Sequence, residues 1–337
     1  MSKILITGAS GFIGSFMVNR ALCEGYEVWA AVRPTSSRRY LKDERIHFIE
    51  LNLGNDRQLK EQITAFQAEH GPWNYVIHAA GATKCKSKAD FYRTNTDGTV
   101  RLARTLTETG ALTAPGRFVF ISSLSVYGAV RDHDYAPISE KDIPAPNTAY
   151  GHSKLKAENM LREIPGLNFV ALRPTGVYGP REKDYFMMAQ SIKNHIDFAV
   201  GYKPQVLTFI YVEDLVEAAF LALERGESGR AYLLSDGLKY TSRSFSDLLQ
   251  AEMGVKRVLH IVAPLWFLRI VSFIAENLAK LTGTTSTLNG DKYKIMSQRN
   301  WQCDITPARK ELGYKPQWPL ERGVRAAVAW YRKAGWL

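Results

Sequence analysis

The run Thr7-Gly8-Ala9-Ser10-Gly11-Phe12-Ile13-Gly14 constrains this chain more than any other feature. It follows a short apolar strand, Ile4-Leu5-Ile6, and opens an amphipathic stretch from Phe12 to Cys23. A glycine-rich turn between a strand and a helix lets backbone N–H groups approach a pyrophosphate, and the helix N-terminus adds a fixed partial positive charge. In that reading Gly8 makes the tight turn, Gly11 admits the phosphates and Gly14 lets the helix pack on the sheet. Ser10, Phe12 and Ile13 complete the contact with a dinucleotide. The strand–turn–helix context, rather than the three glycines alone, carries the assignment.

The first half of the chain alternates strand and helix signals. Strands are predicted at 3–7, 27–32, 46–50, 75–79, 117–121 and 168–172, with helices at about 12–24, 56–69, 88–109 and 148–163. This rhythm predicts an α/β fold, a doubly wound parallel sheet with helices on both faces. Ligands in such sheets bind beyond the carboxyl ends of the strands, so the loops there are the informative ones. Past residue 175 the rhythm loosens, then returns briefly at Phe209-Ile210-Tyr211 and Ala231-Tyr232-Leu233-Leu234. The expected division is a dinucleotide-binding domain of 1–175 with 206–235, and a smaller, discontinuous C-terminal substrate lobe of 176–205 with 236–320. A C-terminal helix covers 321–337.

Bulk properties narrow the class. With 337 residues, 45% hydrophobic and 23% charged, the chain has the composition of a globular protein able to bury a sizeable core. Its three cysteines, Cys23, Cys85 and Cys303, are far apart and lack metal-ligand spacing, so no metal is expected and a reducing, cytoplasmic setting is. Met1-Ser2-Lys3 leads straight into the first strand without a leader pattern. No run of about 18 apolar residues suggests a membrane-spanning helix. The net charge of +11 is compatible with phosphate-bearing cofactors, anionic lipid or nucleic acid. The basic residues are scattered and no nucleic-acid motif accompanies them. A solvated basic surface and peripheral attraction to the inner face of a membrane remain as readings.

The end of the second strand bears on cofactor choice. An acidic residue there binds the adenosine ribose hydroxyls and favours NAD. Here Val32-Arg33-Pro34-Thr35-Ser36-Ser37-Arg38-Arg39 supplies arginines and hydroxyls but no carboxylate. Arginine forks match phosphate oxygens, so Arg33, Arg38 and Ser37 favour the 2′-phosphate of NADP(H) over NAD(H). Asn52 and Leu53, after the third strand, are placed at the adenine.

Tyr150-Gly151-His152-Ser153-Lys154 puts a tyrosine and a lysine on one face of a predicted helix. The preceding strand ends in Ser122-Ser123-Leu124-Ser125-Val126-Tyr127-Gly128, at the ligand-binding edge. A free phenol titrates near pH 10 and is a poor acid or base at neutrality. A neighbouring ammonium and an oxidised nicotinamide would lower that value, so that Tyr150 exchanges a proton with a substrate oxygen. Lys154 tunes it and holds the nicotinamide ribose, while Ser123 hydrogen-bonds the same substrate oxygen. His78 is read as packing, and His152 as pointing elsewhere on the helix.

Taken with His78-Ala79-Ala80-Gly81, Asn95-Thr96-Asp97-Gly98-Thr99, Leu172-Arg173-Pro174-Thr175-Gly176-Val177-Tyr178-Gly179-Pro180, Val212-Glu213-Asp214-Leu215 and the closing Trp330-Tyr331-Arg332, these motifs make the chain resemble an extended short-chain dehydrogenase/reductase of the NAD-dependent epimerase/dehydratase family. The resemblance implies a Rossmann sheet and a Ser123–Tyr150–Lys154 triad. It places Ala79, Ala80 and Gly81 along the cofactor, Pro174 and Val177 near its carboxamide, and Asn95 in support. Homodimers are common in the family.

Departures in the second half speak to substrate. Sugar-nucleotide members carry an arginine shortly before the Val-x-Asp-Leu segment and another after an Ala-Pro element, both on the substrate diphosphate. Here those places hold Leu207 and the run Ala263-Pro264-Leu265-Trp266-Phe267. Apolar side chains cannot replace a charged fork on phosphate; Arg181, Lys183, Lys203 or Arg269 would have to compensate. Residues 261–275 contain one charge, and as a helix would carry a polar stripe of Arg269, Ser272, Glu276 and Lys280. Core helix, wall of an apolar pocket and membrane-interface helix are the three readings. The segment resembles the branch related to 3β-hydroxysteroid dehydrogenases and other lipid-acting reductases. The expected substrate contacts are Thr83, Lys84, Leu124, Ser125, Tyr178, Leu207, Leu265 and Trp266. The sequence therefore points to an NADPH-dependent reductase of a ketone, or oxidation of the alcohol, on an apolar small molecule. The alternative is a nucleotide-sugar epimerase or dehydratase. Dehydration calls for an acid beside the triad serine, where Leu124 stands.

Overall fold

The computed structural model describes residues 1–282 and 290–337, the side chains of 276–282 excepted. Its centre is a seven-stranded parallel sheet. In chain order its first six strands are β1 (Lys3–Thr7), β2 (Glu27–Ala31), β3 (His47–Ile49), β4 (Trp73–His78), β5 (Leu112–Ile121) and β6 (Phe169–Pro174). The short β7 (Gly176–Tyr178), β8 (Ile196–Val200), β9 (Val206–Leu207) and β10 (Phe209–Tyr211) leave the sheet, and β11 (Ala231–Leu234) returns to it. The spatial order is β3-β2-β1-β4-β5-β6-β11. Strand order reverses between β1 and β4, and such a switch point opens a crevice for a ligand.

The strands are apolar almost throughout, as a sheet covered on both faces requires. Helices α1 (Phe12–Cys23) and, later, α7 (Val212–Arg225) cover one face around Ile4, Ile6, Ile77 and Val119. Helices α2 (Asp56–His70), α4 (Gly98–Glu108) and α5 (Ala149–Arg162) cover the other around Leu5, Val76, Phe118 and Phe120. Each such side chain, fully buried, contributes about 2 kcal/mol. The helix predicted over 88–109 is in fact three pieces. The short α3 (Lys88–Phe91), capped reciprocally by Ser87 and Asp90, runs into a wide π-helical turn at Tyr92–Asp97 before α4 begins. Such turns insert a residue into the helical ladder and re-aim a side chain, here that of Asn95.

The second lobe adds α6 (Asp184–Lys193), α8 (Ser244–Met253), β12 (Tyr240–Thr241), β13 (Leu259–Ala263), α9 (Leu265–Thr282), α10 (Gly290–Ser297) and α11 (Leu320–Lys333). Only β11 of the expected 206–235 segment joins the main sheet. β10 pairs with β7 instead, and β9 with β12. The C-terminal helix does not stand apart: Leu320, Val324, Val328 and Tyr331 of α11 share one aromatic core with Tyr178, Phe209 and Phe245. Among the described residues no helix is long and apolar enough to cross a membrane.

Candidate functional site

The carboxyl ends of β1, β2, β3 and β4 surround a cleft of about 760 Å³. Gly8 adopts φ +67°, and a Cβ there would stand 2.7 Å from the Ala79 carbonyl and the Ala80 nitrogen. A Cβ on Gly14 would meet the Gly8 oxygen at 2.1 Å. These contacts fix the loop after β1 against the loop after β4, and the first turn of α1 opens beside them. Gly8, Ser10, Gly11, Arg33, Asn52, Leu53, Ala79, Ala80 and Gly81 all line the cleft. A glycine cradle at a helix N-terminus suits a pyrophosphate, so the residues fit a dinucleotide.

Other sequence-predicted cofactor residues lie around this cleft without lining it. Phe12 and Val177 pack against the second-lobe core and Ile13 against the sheet, so a contact from Phe12 or Ile13 falls to its backbone N–H. Arg38 lies over the Phe48 ring, 4.2 Å from its centroid, and Ser37 accepts from the Arg39 N–H. Thr35 and Ser36 line the cleft beside Arg33, and Glu50 faces it from beyond β3. The Asn52 amide is engaged by Gln58, its Nδ2 donating over 2.7 Å.

His78 has more to do than packing. The Ala80 N–H donates to Thr7 Oγ1 (3.2 Å), which lies 2.7 Å from His78 Nδ1. His78 Nε2 lies 2.9 Å from Thr99 Oγ1, which donates to the Asn95 carbonyl (2.7 Å). With the Thr99 proton committed to that carbonyl, these partners assign a neutral ring protonated at Nε2. Burial pushes the imidazole down to about 3, and the Lys154 ammonium adds to the effect. The relay ties the glycine loop, the β4 loop and the π-helical turn into one frame. Asn95 then grips the β4 loop directly: its Oδ1 accepts from the Ala82 N–H (2.7 Å) and its Nδ2 donates to the Ala82 carbonyl (3.0 Å) and to Ser153 Oγ (3.1 Å). It is a positioning residue.

Helix α5 begins at Thr148, whose Oγ1 accepts from the Gly151 N–H, while Asp291 of α10 accepts from the Ala149 N–H. This double cap sets Tyr150 at the first turn and Lys154 one turn on. The Lys154 ammonium donates to the Ile121 carbonyl (2.8 Å) and lies 4.6 Å from the Phe120 ring centroid. It also borders the cofactor cleft, since a Cβ on Gly81 would come within 3.1 Å of its Nζ. Burial lowers its pKa to about 8, opposed by Glu158. Ser123 Oγ donates to Ser125 Oγ (3.1 Å) and accepts from the Ser125 N–H (3.1 Å). Burial raises the Tyr150 phenol above the ordinary value and the Ser123 hydroxyl pulls the other way, so the lowering expected from Lys154 is not present in the protein alone.

Beneath the triad is a buried ion pair that sequence reasoning missed. Glu158 and Arg173 meet through two hydrogen bonds, of 3.1 and 2.6 Å. Ser122 donates to Glu158 and Arg173 donates to Tyr127 (2.7 Å). The signal was available: Glu158 follows Lys154 at the same helical interval that separates Lys154 from Tyr150.

Ser123, Leu124 and Ser125 form one wall of a second cavity, of about 360 Å³. Met188, Phe198, Leu207, Met296 and Trp301 are among its other walls. Pro174 lines this cavity rather than the cofactor cleft. Among the described residues it has no charged side chain in its lining. Arg181, one candidate for compensation, donates to Ser15 Oγ (2.7 Å) and lies over the Phe16 ring. Several expected substrate contacts sit elsewhere. Tyr178 is buried among Tyr185, Tyr211 and Phe245, where desolvation raises its phenol strongly. Thr83 is exposed, and Lys84 pairs with Asp184 at 2.6 Å. Leu265 packs at Gly201, and Trp266 is exposed to solvent. Residues 261–275 are thus largely a surface rather than a core helix or a cavity wall, and the stripe positions Glu276 and Lys280 lie outside the described side chains.

Comparison with known proteins agrees with this architecture. Residues 4–235 match the NAD dependent epimerase/dehydratase family. The chain is 27% identical to a UDP-glucose 4-epimerase of Vibrio cholerae, over 98% of this chain and 96% of that one. It is 25% identical to a ceramide reductase of Caulobacter vibrioides, over 99% and 96%. The crystal structure of gox2253 superposes with a TM-score of 0.78 at 26% identity, covering 99% of both chains. The chain belongs to the NAD-dependent epimerase/dehydratase family. It is accordingly an NAD(P)-dependent enzyme acting on CH–OH/C=O groups.

Proposed function

We propose that this enzyme reduces a ketone on an apolar, lipid-like small molecule with NADPH, or oxidises the corresponding alcohol. The uncharged lining of the cavity beside Ser123 carries the reading. A nucleotide sugar brings a diphosphate, and burying it without a cation costs far more than its contacts return. The likeness to a ceramide reductase supports the same choice, while that to a UDP-glucose 4-epimerase names the alternative. NADPH is favoured by Arg33, Thr35 and Ser36 in the cleft and by the absence of a carboxylate at the end of β2.

Gly8, Gly11 and the first turn of α1 would hold the pyrophosphate, and Lys154 the nicotinamide ribose. The bound nicotinamide supplies the hydride for reduction. Ser123 Oγ–H donates to the substrate oxygen and fixes the carbonyl in front of Tyr150. Tyr150, protonated and half-buried, gives its proton to that oxygen as negative charge builds there. Both directions pass through the phenolate, which burial disfavours, so the Lys154 ammonium and the bound cofactor would have to stabilise it.

Thermal-shift titration tests the substrate reading. A long-chain ketone and NADPH should stabilise the protein together; stabilisation by UDP-glucose instead overturns the proposal. Tyr150→Phe should cut turnover by about a thousandfold while leaving NADPH affinity within about twofold. Unchanged turnover removes Tyr150 as the proton donor.

A further inference from the structure

The second lobe presents an apolar surface beyond the triad and the cofactor cleft. Strands β8 and β13 pair in parallel, with Phe198 beside Ile261, and β13 runs through Pro264 directly into α9. Phe198 is 61% exposed and Trp266 65%. Ile261, Phe267 and Ile270 are exposed as well, and Tyr202 stands over β13 with its hydroxyl toward the Val262 carbonyl. Large aromatic and aliphatic side chains so concentrated on one surface mark an interaction site.

Charge identifies the occupant. Lys193, Lys203, Lys256, Arg257 and Arg269 are exposed on these same segments. The one carboxylate in residues 193–203 and 256–275 is Asp197, which is 5% exposed, lies 3.6 Å from the Arg243 guanidinium and is 3.0 Å from His260 Nδ1. The apolar face is therefore rimmed by cations. A second copy docking symmetrically would bring two cationic rims together. An anionic bilayer surface neutralises the rim, and its acyl boundary accepts the aromatic and aliphatic side chains. No described helix can cross a bilayer, so the contact is made on its surface.

We propose that β8, β13 and the first turns of α9 dock on an anionic lipid bilayer and open the substrate cavity toward it. Phe198, Ala199 and Val200 belong both to the cavity wall and to the docking strand, so docking sets the lipid against that wall. The inference rests on the lipid-like substrate for its purpose, but its test does not depend on turnover.

The experiment is flotation of the full chain with phosphatidylcholine vesicles, with and without phosphatidylglycerol. The protein should float with the anionic vesicles, less with the zwitterionic ones, and the difference should shrink as salt is raised. Trp266→Glu with Ile270→Glu should reduce flotation by at least about tenfold, with melting temperature and NADPH affinity unchanged. Arg269→Ala with Lys203→Ala, which leaves the apolar face intact, should lose the preference for anionic lipid. A wild-type protein that does not float with either vesicle overturns the proposal, whatever the variants do. So does light scattering that shows a wild-type dimer turned monomeric by Trp266→Glu with Ile270→Glu, because the face is then an interface between copies. A long-chain ketone presented in detergent micelles, assayed on the same preparations, reports the reductase reading separately: turnover without flotation defeats only the docking, and flotation without turnover defeats only the chemistry.

Discussion

The cofactor cleft and the apolar cavity meet at the triad but are built on opposite principles. The cleft is framed by backbone. Glycines at near-contact distance join the loops after β1 and β4, and a hydrogen-bond relay through His78 locks them to the π-helical turn. The cavity is lined by side chains from β8, β9, α6, α10 and the loop around Trp301, most of them apolar. Backbone framing suits a ligand that every family member shares. Side-chain framing is what changes when a substrate changes, because one methylene alters shape without breaking a hydrogen bond. The triad belongs to the rigid side: the ion pair of Glu158 and Arg173 holds α5 to β6 beneath it.

That ion pair gives the largest expected effect. Glu158 has no exposed surface, and Arg173 is 6% exposed. Glu158→Ala leaves the guanidinium buried with no countercharge and should cost about 4 kcal/mol, read by urea melts. The loss should also reach Lys154 through α5 and lower kcat. A variant that melts like the wild type would show that the rigid region draws no rigidity from this pair.

The same contrast explains what the sequence disclosed. The glycine loop, the β1–β6 rhythm and the Tyr150–Lys154 spacing are local patterns, and each falls where it was expected. Asn95 was placed in a continuous helix, because an inserted residue leaves hydrophobic periodicity nearly untouched. Glu158 and Arg173 lie on different elements, and their pairing exists only once α5 packs on β6. Tyr178 sits in a motif beside the cofactor segment, yet β7 turns its ring into the core it shares with Phe245. Residues 261–275 were ambiguous because an apolar run reads alike whether it faces a core, a cavity or a bilayer.

Acid tests the backbone frame next. The folded protein holds His78 neutral with a pKa near 3, against an ordinary value of 6.5, so the unfolded chain binds the extra proton between those values. Stability should therefore fall as pH falls through that window, by about 3 kcal/mol from about pH 6 to about pH 4. His78→Gln should flatten this dependence and weaken NADPH binding, since the relay to Ala80 and Asn95 is interrupted. Equilibrium unfolding at several pH values reads the slope. An unchanged slope would mean that His78 is not the group that titrates.

The smallest effect sharpens the comparison from the other side. Leu207 is a side chain of the cavity wall on the two-residue strand β9, at the place where the family resemblance implies an arginine for a sugar-nucleotide substrate. Leu207→Arg puts a flexible cation there without disturbing the glycine cradle. Affinity for an apolar ketone should fall by about tenfold, near 1.4 kcal/mol, as desolvating the guanidinium opposes binding. NADPH affinity should stay within about twofold, because residues without shared partners contribute independently. Calorimetric titration of each ligand separates the two. If NADPH affinity falls as steeply as ketone affinity, the cleft and the cavity are one mechanical unit, and the division between a fixed backbone frame and an adaptable wall fails.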